Sequence, residues 1–193
     1  MADIHKELVD DIGKKGELTV SLTWEVYRDE TLPTRSIGII STHNATPGEP
    51  FVPHSESGLR VRVGDSLRLR VKSSHDGYLT VVNLGTTGRI YKMFPVDATD
   101  NFLEANKEYL IPGDLTPRIG GKKVRCWTVS EGSESAETPE RILAIVTKDR
   151  LTFEEGAFRP RGGLISMENI VQDVRMLIKG SFTFGLLEAW IDK

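Results

Sequence analysis

Leu59-Arg60-Val61-Arg62-Val63, followed by Gly64-Asp65-Ser66 and Leu67-Arg68-Leu69-Arg70-Val71-Lys72, is the stretch that decides the fold. Apolar and basic residues alternate with period two on both sides of a Gly-Asp turn signal, the pattern of two half-buried β-strands. A two-residue turn at Gly64-Asp65 would pair Arg62 with Leu67 and mix the faces. A three-residue turn pairs Val63 with Leu67 and keeps both apolar sets inward. It also sets Arg62 opposite Arg68 and Arg60 opposite Arg70, and like charges directly opposed are destabilising. So either the two strands belong to different sheets, or something acidic neutralises the basic face.

Upstream, Leu18, Val20, Leu22, Trp24 and Val26 alternate with Glu17, Thr19, Ser21, Thr23 and Glu25, which predicts a strand with one face on a core and the other in water. Residues 28–58 form a long proline-studded loop, in which Ile37, Ile39 and Ile40 suit one short strand. Residues 1–16 are an N-terminal segment: Ile4, Leu8 and Ile12 carry helical spacing, and Gly13 and Gly16 stop it. Downstream, His75-Asp76-Gly77 is a turn. Tyr78, Leu79, Val81, Val82 and Leu84 are apolar on both faces and predict a central strand. Further strands are expected at 90–94, 102–103, 109–111 and 124–129. Arg141 to Thr147 reads as a buried strand.

The β domain is therefore expected to span 17–150. Residues 151–193 read as a linker plus a C-terminal helical segment. Phe153 to Gly163 is rich in Gly, Arg and Pro, and Ser166 suits a helix N-cap. Ile170, Val171, Val174, Leu177 and Ile178 then line one face of an amphipathic helix that ends before Gly180. Leu186, Leu187, Trp190 and Ile191 form an apolar C-terminal stretch whose type the pattern leaves open.

Composition sets bounds on function. The chain has 193 residues and a formal net charge of -3, so bulk charge does not argue for nucleic acid or membrane. One cysteine, Cys126, excludes an internal disulfide and a Cys-based zinc site. No signal-peptide core is visible in the first residues, and no apolar run approaches the ~20 residues of a membrane helix. A cytoplasmic protein is expected.

Several blocks, in order, resemble the bacterial family known as domain of unknown function 4384. They are Gly64 to Val71, Asp76-Gly77-Tyr78-Leu79, Asn83-Leu84-Gly85, Gly88-Arg89-Ile90, Phe94-Pro95, Asp100-Asn101-Phe102, Tyr109 with Ile111-Pro112, and Glu140 to Thr147. The resemblance covers residues 64–149, under half the chain. It implies a β-sandwich accessory domain, often joined to caspase-like proteases or protein kinases in signalling and defence proteins. This chain carries extra segments at both ends, so the enzyme would be a separate partner. The family has no assigned catalytic residues to carry over. The expected fold class is mostly β: an antiparallel immunoglobulin-like β-sandwich with a C-terminal amphipathic helix.

The candidate chemistry is sparse. His5, His43, His54 and His75 show no ligand spacing, and Cys126 in a strand is a poor nucleophile, so no catalytic, cofactor-binding or metal-binding residue is assigned and a hydrolase is the weakest reading. Gly120-Gly121-Lys122-Lys123 lacks phosphate-loop spacing and reads as a hairpin turn. Asp97, Asp100 and Asn101 lack the spacing of a calcium loop. The basic set Arg60, Arg62, Arg68, Arg70 and Lys72 is the candidate surface for an anion or a partner. A solvated, edge-protecting face is its ordinary explanation, and the lack of interleaved aromatics disfavours nucleic acid. Ile170, Val174, Leu177 and Ile178 are a candidate partner-docking face, or pack on the host domain. The expected function is a non-catalytic adaptor or regulatory module. The alternative is a sensor of an anionic ligand.

Overall fold

The computed structural model describes residues 17–27, 52–54, 59–84, 90–95, 100–115, 118–119, 122–129, 139–150 and 182–192. Every element among them is a strand. In chain order these are β1 (Glu17–Leu18), β2 (Val20–Tyr27), β3 (Val52–His54), β4 (Leu59–Arg62), β5 (Ser66–Ser73), β6 (Gly77–Leu84) and β7 (Ile90–Phe94). Then follow β8 (Phe102–Leu103), β9 (Glu108–Ile111), β10 (Arg118–Ile119), β11 (Lys122–Lys123), β12 (Trp127–Thr128), β13 (Glu140–Thr147) and β14 (Phe182–Asp192). The expected helix over 166–179, the N-terminal segment and the Ile37–Ile40 strand lie outside the described residues.

Two large sheets form. The seven-stranded sheet runs β1-β14-β13-β6-β7, with β4 also on β14 and β8 also on β6. It is mixed: β1 and β4 lie parallel to β14, whereas β13 is antiparallel to both β14 and β6. The five-stranded sheet runs β12-β5-β2-β3, with β9 also on β5, and it is antiparallel. β10 and β11 pair as a small hairpin that brackets Gly120-Gly121, as the turn reading expects.

The chain passes between the two sheets several times, and two of these crossings frame the strands read above. At Thr19 it passes from β1 in one sheet to β2 in the other. Between Arg62 and Ser66 it passes from β4 to β5. The predicted alternation is present on both strands, but β4 pairs with β14 and β5 pairs with β2, so Val63 and Leu67 do not form a ladder pair. Separate sheets remove the clash of Arg62 with Arg68. The corner is built by Gly64, at φ 97°, and by Asp65, which is 3% exposed. The Arg62 N–H donates to Asp65 Oδ2 at 2.9 Å, the Gly64 N–H to the Val129 carbonyl at 2.9 Å, and the Val129 N–H to the Asp65 carbonyl at 2.9 Å. A positive φ costs glycine little and other residues more.

One core joins the sheets. Val20, Leu22, Trp24, Val26, Leu67, Leu69 and Val71 from one sheet meet Val61, Leu79, Val81, Phe94, Leu103, Ile142, Ala144, Val146 and Leu187 from the other. Each fully buried Leu or Ile contributes about 2 kcal/mol in apolar transfer. β6 is central, as its two-faced apolar pattern predicts. The Phe94–Pro95 and Ile111–Pro112 peptides are cis.

The C-terminal stretch whose type the pattern left open is a strand, and it is integral to the sheet. β14 pairs with β13 along eight residues, from Phe182 opposite Thr147 to Ala189 opposite Glu140. Its other edge holds both β1 and β4. The β domain therefore does not end at residue 150. Gly185 stands where β14 crosses β2: a Cβ there would collide with the Val20 carbonyl oxygen and come within 3.0 Å of Leu22 Cγ.

Two predictions follow from this closure. A fragment of residues 60–150, lacking β2 and β14, will show no cooperative urea transition, whereas residues 17–193 will show one; a cooperative 60–150 fragment contradicts it. Gly185→Ala will lower unfolding stability by about 2 kcal/mol, the scale of an overpacked contact, read as a lower urea midpoint at unchanged slope.

Candidate functional site

The five candidate cations divide between the two sheets. Arg60 and Arg62 are exposed on β4, at the edge of the seven-stranded sheet. Arg68, Arg70 and Lys72 lie on β5, inside the five-stranded sheet. The sequence pattern joins them in one line; the sheet change at Gly64-Asp65 separates them.

On β5 the arginines face carboxylates. Register places Glu25 of β2 opposite Arg68, and Glu108 of β9 opposite Lys72. The Arg68 Nη2 group donates to Glu25 Oε2 at 2.8 Å, Arg70 Nε donates to Glu25 Oε1, and Arg70 Nη1 donates to Glu108 Oε1 at 2.6 Å. Two acids thus balance two arginines. The Glu25 side chain is 5% exposed, while those of Arg68 and Arg70 are 25% and 39% exposed. The hydrogen bonds to Glu108 and Glu25 hold the Arg70 guanidinium above its ordinary value. Lys72 is exposed beside this cluster.

The alternation of β2 puts Glu25 on a face expected to meet water, yet Glu25 is buried. The reason is its neighbours: charge-assisted bonds from Arg68 and Arg70 to its two carboxylate oxygens replace its hydration. Glu25 and Glu108 are the residues that the sequence reading missed. The available signal was electrostatic: an acid on the polar face of one predicted strand and an arginine row on the next.

Other polar residues between Asp76 and Asp114 hold turns. The Asn101 side chain is buried and donates Nδ2–H to the Leu79 carbonyl at 2.8 Å, while the main-chain carbonyl of Asn101 accepts the Leu79 N–H at 2.8 Å. Asp76 Oδ1 accepts the Ala105 N–H, and Asp114 Oδ2 accepts the Leu110 N–H at 2.8 Å. Asp100 Oδ1 accepts the Phe102 N–H at 3.3 Å and faces Arg150 at 3.7 Å. Cys126 is buried. Among the described residues no group of three or more His, Cys, Asp or Glu could hold a metal ion, and no helix is long and apolar enough to cross a membrane. Ile170, Val174, Leu177 and Ile178 lie outside the described residues.

The residues that build the Gly64-Asp65 corner, the Asp76-Gly77 turn and the Asn101 clamp are those of the resemblance blocks, and a family comparison identifies the same stretch. Residues 60–150 match the family described as Domain of unknown function (DUF4384). The DUF4384 match runs from β4 through β13 and leaves out β1, β2, β3 and β14. It therefore contains Arg68, Arg70 and Glu108 but not Glu25, which lies on a strand outside it. No curated protein and no solved structure matches the chain.

Removing the Glu25 charge leaves two partly buried guanidinium groups without their shared acceptor. Glu25→Gln will cost about 2 kcal/mol, below the ~3–5 kcal/mol of a fully buried pair because both arginines touch solvent. Chemical denaturation measures it; a change below about 0.5 kcal/mol contradicts a structural role for the cluster.

Proposed function

We propose that the chain is a non-catalytic interaction module, an adaptor or regulator of a separate enzyme in a bacterial signalling or defence system, working in the cytoplasm. The observation that carries this reading is the occupation of the polar residues in the matched stretch. Asp65, Asp76, Asn101, Asp114, Arg68 and Arg70 each hold a turn, a strand or a counter-charge. A general acid–base pair or an activated nucleophile needs side chains aimed at a reacting atom, and these are aimed at the protein's own backbone and carboxylates. The two sheets around one core, with the chain changing sheet at Thr19 and at Gly64-Asp65, support an immunoglobulin-like β-sandwich.

The partner contact that best fits this reading is the β4 edge. β4 is short and exposes Arg60 and Arg62 along the edge of the seven-stranded sheet. Such charges guard an edge against indiscriminate pairing and steer an acidic partner toward it. The partner would be an enzyme carrying an acidic surface, with a caspase-like protease or a protein kinase as the expected class. The anion-sensor alternative is less favoured, because a ligand on β5 would have to displace Glu25 from two charge-assisted bonds.

The test is affinity capture of the tagged chain from its own cells, followed by mass spectrometry at low and high salt. The reading predicts an enzyme retained at low salt, released at high salt, and reduced at least tenfold in recovery by Arg60→Glu with Arg62→Glu. An enzyme-free capture, or retention indifferent to both charges, rejects the adaptor reading.

A further inference from the structure

Two strands far apart in the sequence, β4 and β14, meet in the seven-stranded sheet. On β14, Leu187 and Ile191 pack in the shared core, so Glu188 and Trp190, which alternate with them, lie on the opposite face. On β4, Val61 belongs to the core and Leu59 packs against it. That turns Arg60 and Arg62 to the same opposite face, where both are exposed. The parallel register sets Trp190 opposite Arg60 and Asp192 opposite Arg62. With strands about 4.8 Å apart and alternate residues about 6.6 Å apart, Arg62 stands about 8 Å diagonally from Trp190. Trp190 itself is half-buried. Beside it on the sheet, Arg141 Nε donates to Glu188 Oε1 at 2.8 Å, so that acid already has its counter-charge. By register the row holds three arginines and two acids, Glu188 and Asp192, and the surplus is positive.

We propose that Trp190, framed by Arg60 and Arg62, is the anchor of the partner contact, and that the partner brings to it an acidic segment with an apolar side chain at its centre. The proposal deepens the adaptor reading and rests on it for the existence of a partner. Carboxylates of the segment meet the two guanidinium groups, and the apolar side chain packs on the indole ring. Charge complementarity steers the segment to the patch, arginine takes a carboxylate through paired hydrogen bonds, and the ring adds the apolar area that charge alone lacks. Tryptophan and arginine are the residue types that carry most of the energy where an apolar anchor sits inside a polar rim. Sequence order hides this patch. Along the chain no aromatic stands between the arginines, which disfavours nucleic acid; the β4–β14 register sets one beside them. The same register favours a protein segment over a single nucleic-acid strand. Such a strand stacks on successive rings along a positive groove. Beside these arginines the described residues offer one ring, and acids flank it two positions away on either side, at Glu188 and Asp192.

Fluorescence anisotropy of dye-labelled probes, titrated with the full chain at low salt, tests the proposal. The probes are a short peptide of glutamates around a central leucine, the same peptide with glycine at its centre, and an oligothymidylate. The leucine peptide will bind at least fivefold tighter than the glycine peptide. Arg60→Glu with Arg62→Glu will weaken it at least tenfold, while Lys72→Glu, on the other sheet, leaves it unchanged. Trp190→Ala will erase the preference for leucine over glycine and keep a weak, salt-dependent affinity for both; Trp190→Phe will retain the preference. Should Trp190→Ala lose its cooperative urea transition, acrylamide quenching of the native chain is read instead. Trp24 and Trp127 are buried, so quenching reports Trp190, and the leucine peptide must protect it. Equal affinity for the two peptides, an effect of Lys72→Glu as large as that of the arginine pair, or tighter binding of the oligothymidylate overturns the proposal. Its failure is distinct from that of the adaptor reading. An enzyme captured from cells that is lost on reversing Arg60 and Arg62 but indifferent to Trp190→Ala keeps the adaptor and removes the anchor. Peptide binding as predicted beside an enzyme-free capture does the reverse.

Discussion

Strand β13 is buried on both faces and paired on both edges, and the rest of the molecule is arranged to satisfy it. Each edge needs a full ladder, because an unpaired N–H or carbonyl so far from water would cost about as much as a lost hydrogen bond. β6 supplies one ladder and β14 the other. Each face needs an apolar cover. The five-stranded sheet covers the inner face, and its approach is close enough that position 185 has to be glycine. Strands buried on both sides read as continuous apolar runs, which describes both Ile142 to Val146 and Tyr78 to Leu84.

The same demand explains why the domain is larger than the stretch that matches the family. β14 arrives from more than thirty residues beyond β13, and β1 and β2 arrive from before the matched stretch. Without them β13 and β5 would each lose a full-length neighbour. The β2–β5 ladder also brings an acid to the arginine row. Separating β4 from β5 relieves half of the charge opposition, and Glu25 with Glu108 relieves the other half. Both solutions that the arginine alternation called for are in use, one at each side of the Gly64-Asp65 corner.

Local patterns revealed most strands, because period-two alternation and turn chemistry are local properties. The alternation of 18–26 and 66–73, the central character of β6, the turns at Asp76-Gly77 and Gly120-Gly121, and the burial of Ile142 to Val146 were all legible in that way. What was not legible depended on distant partners. β14 is apolar on both faces, with Phe182, Phe184 and Leu186 on one and Leu187, Ala189 and Ile191 on the other, so periodicity could not separate it from a helix. Glu25 looked solvated because burial of a carboxylate depends on which strand lies next to it. The basic residues looked like one surface because a corner between sheets and a hairpin share the same Gly-Asp signal. In the candidate site, the cations were visible and their counter-charges were not.

The central claim is that β14 closes the domain as a full member of the β13 ladder. Native-state hydrogen exchange along the chain tests it most directly, since cooperative units exchange together. The account predicts that the amides of residues 183–189 exchange as slowly as those of 141–147, with a single shared opening free energy. Fast exchange across 183–189 beside a protected 141–147 would contradict it.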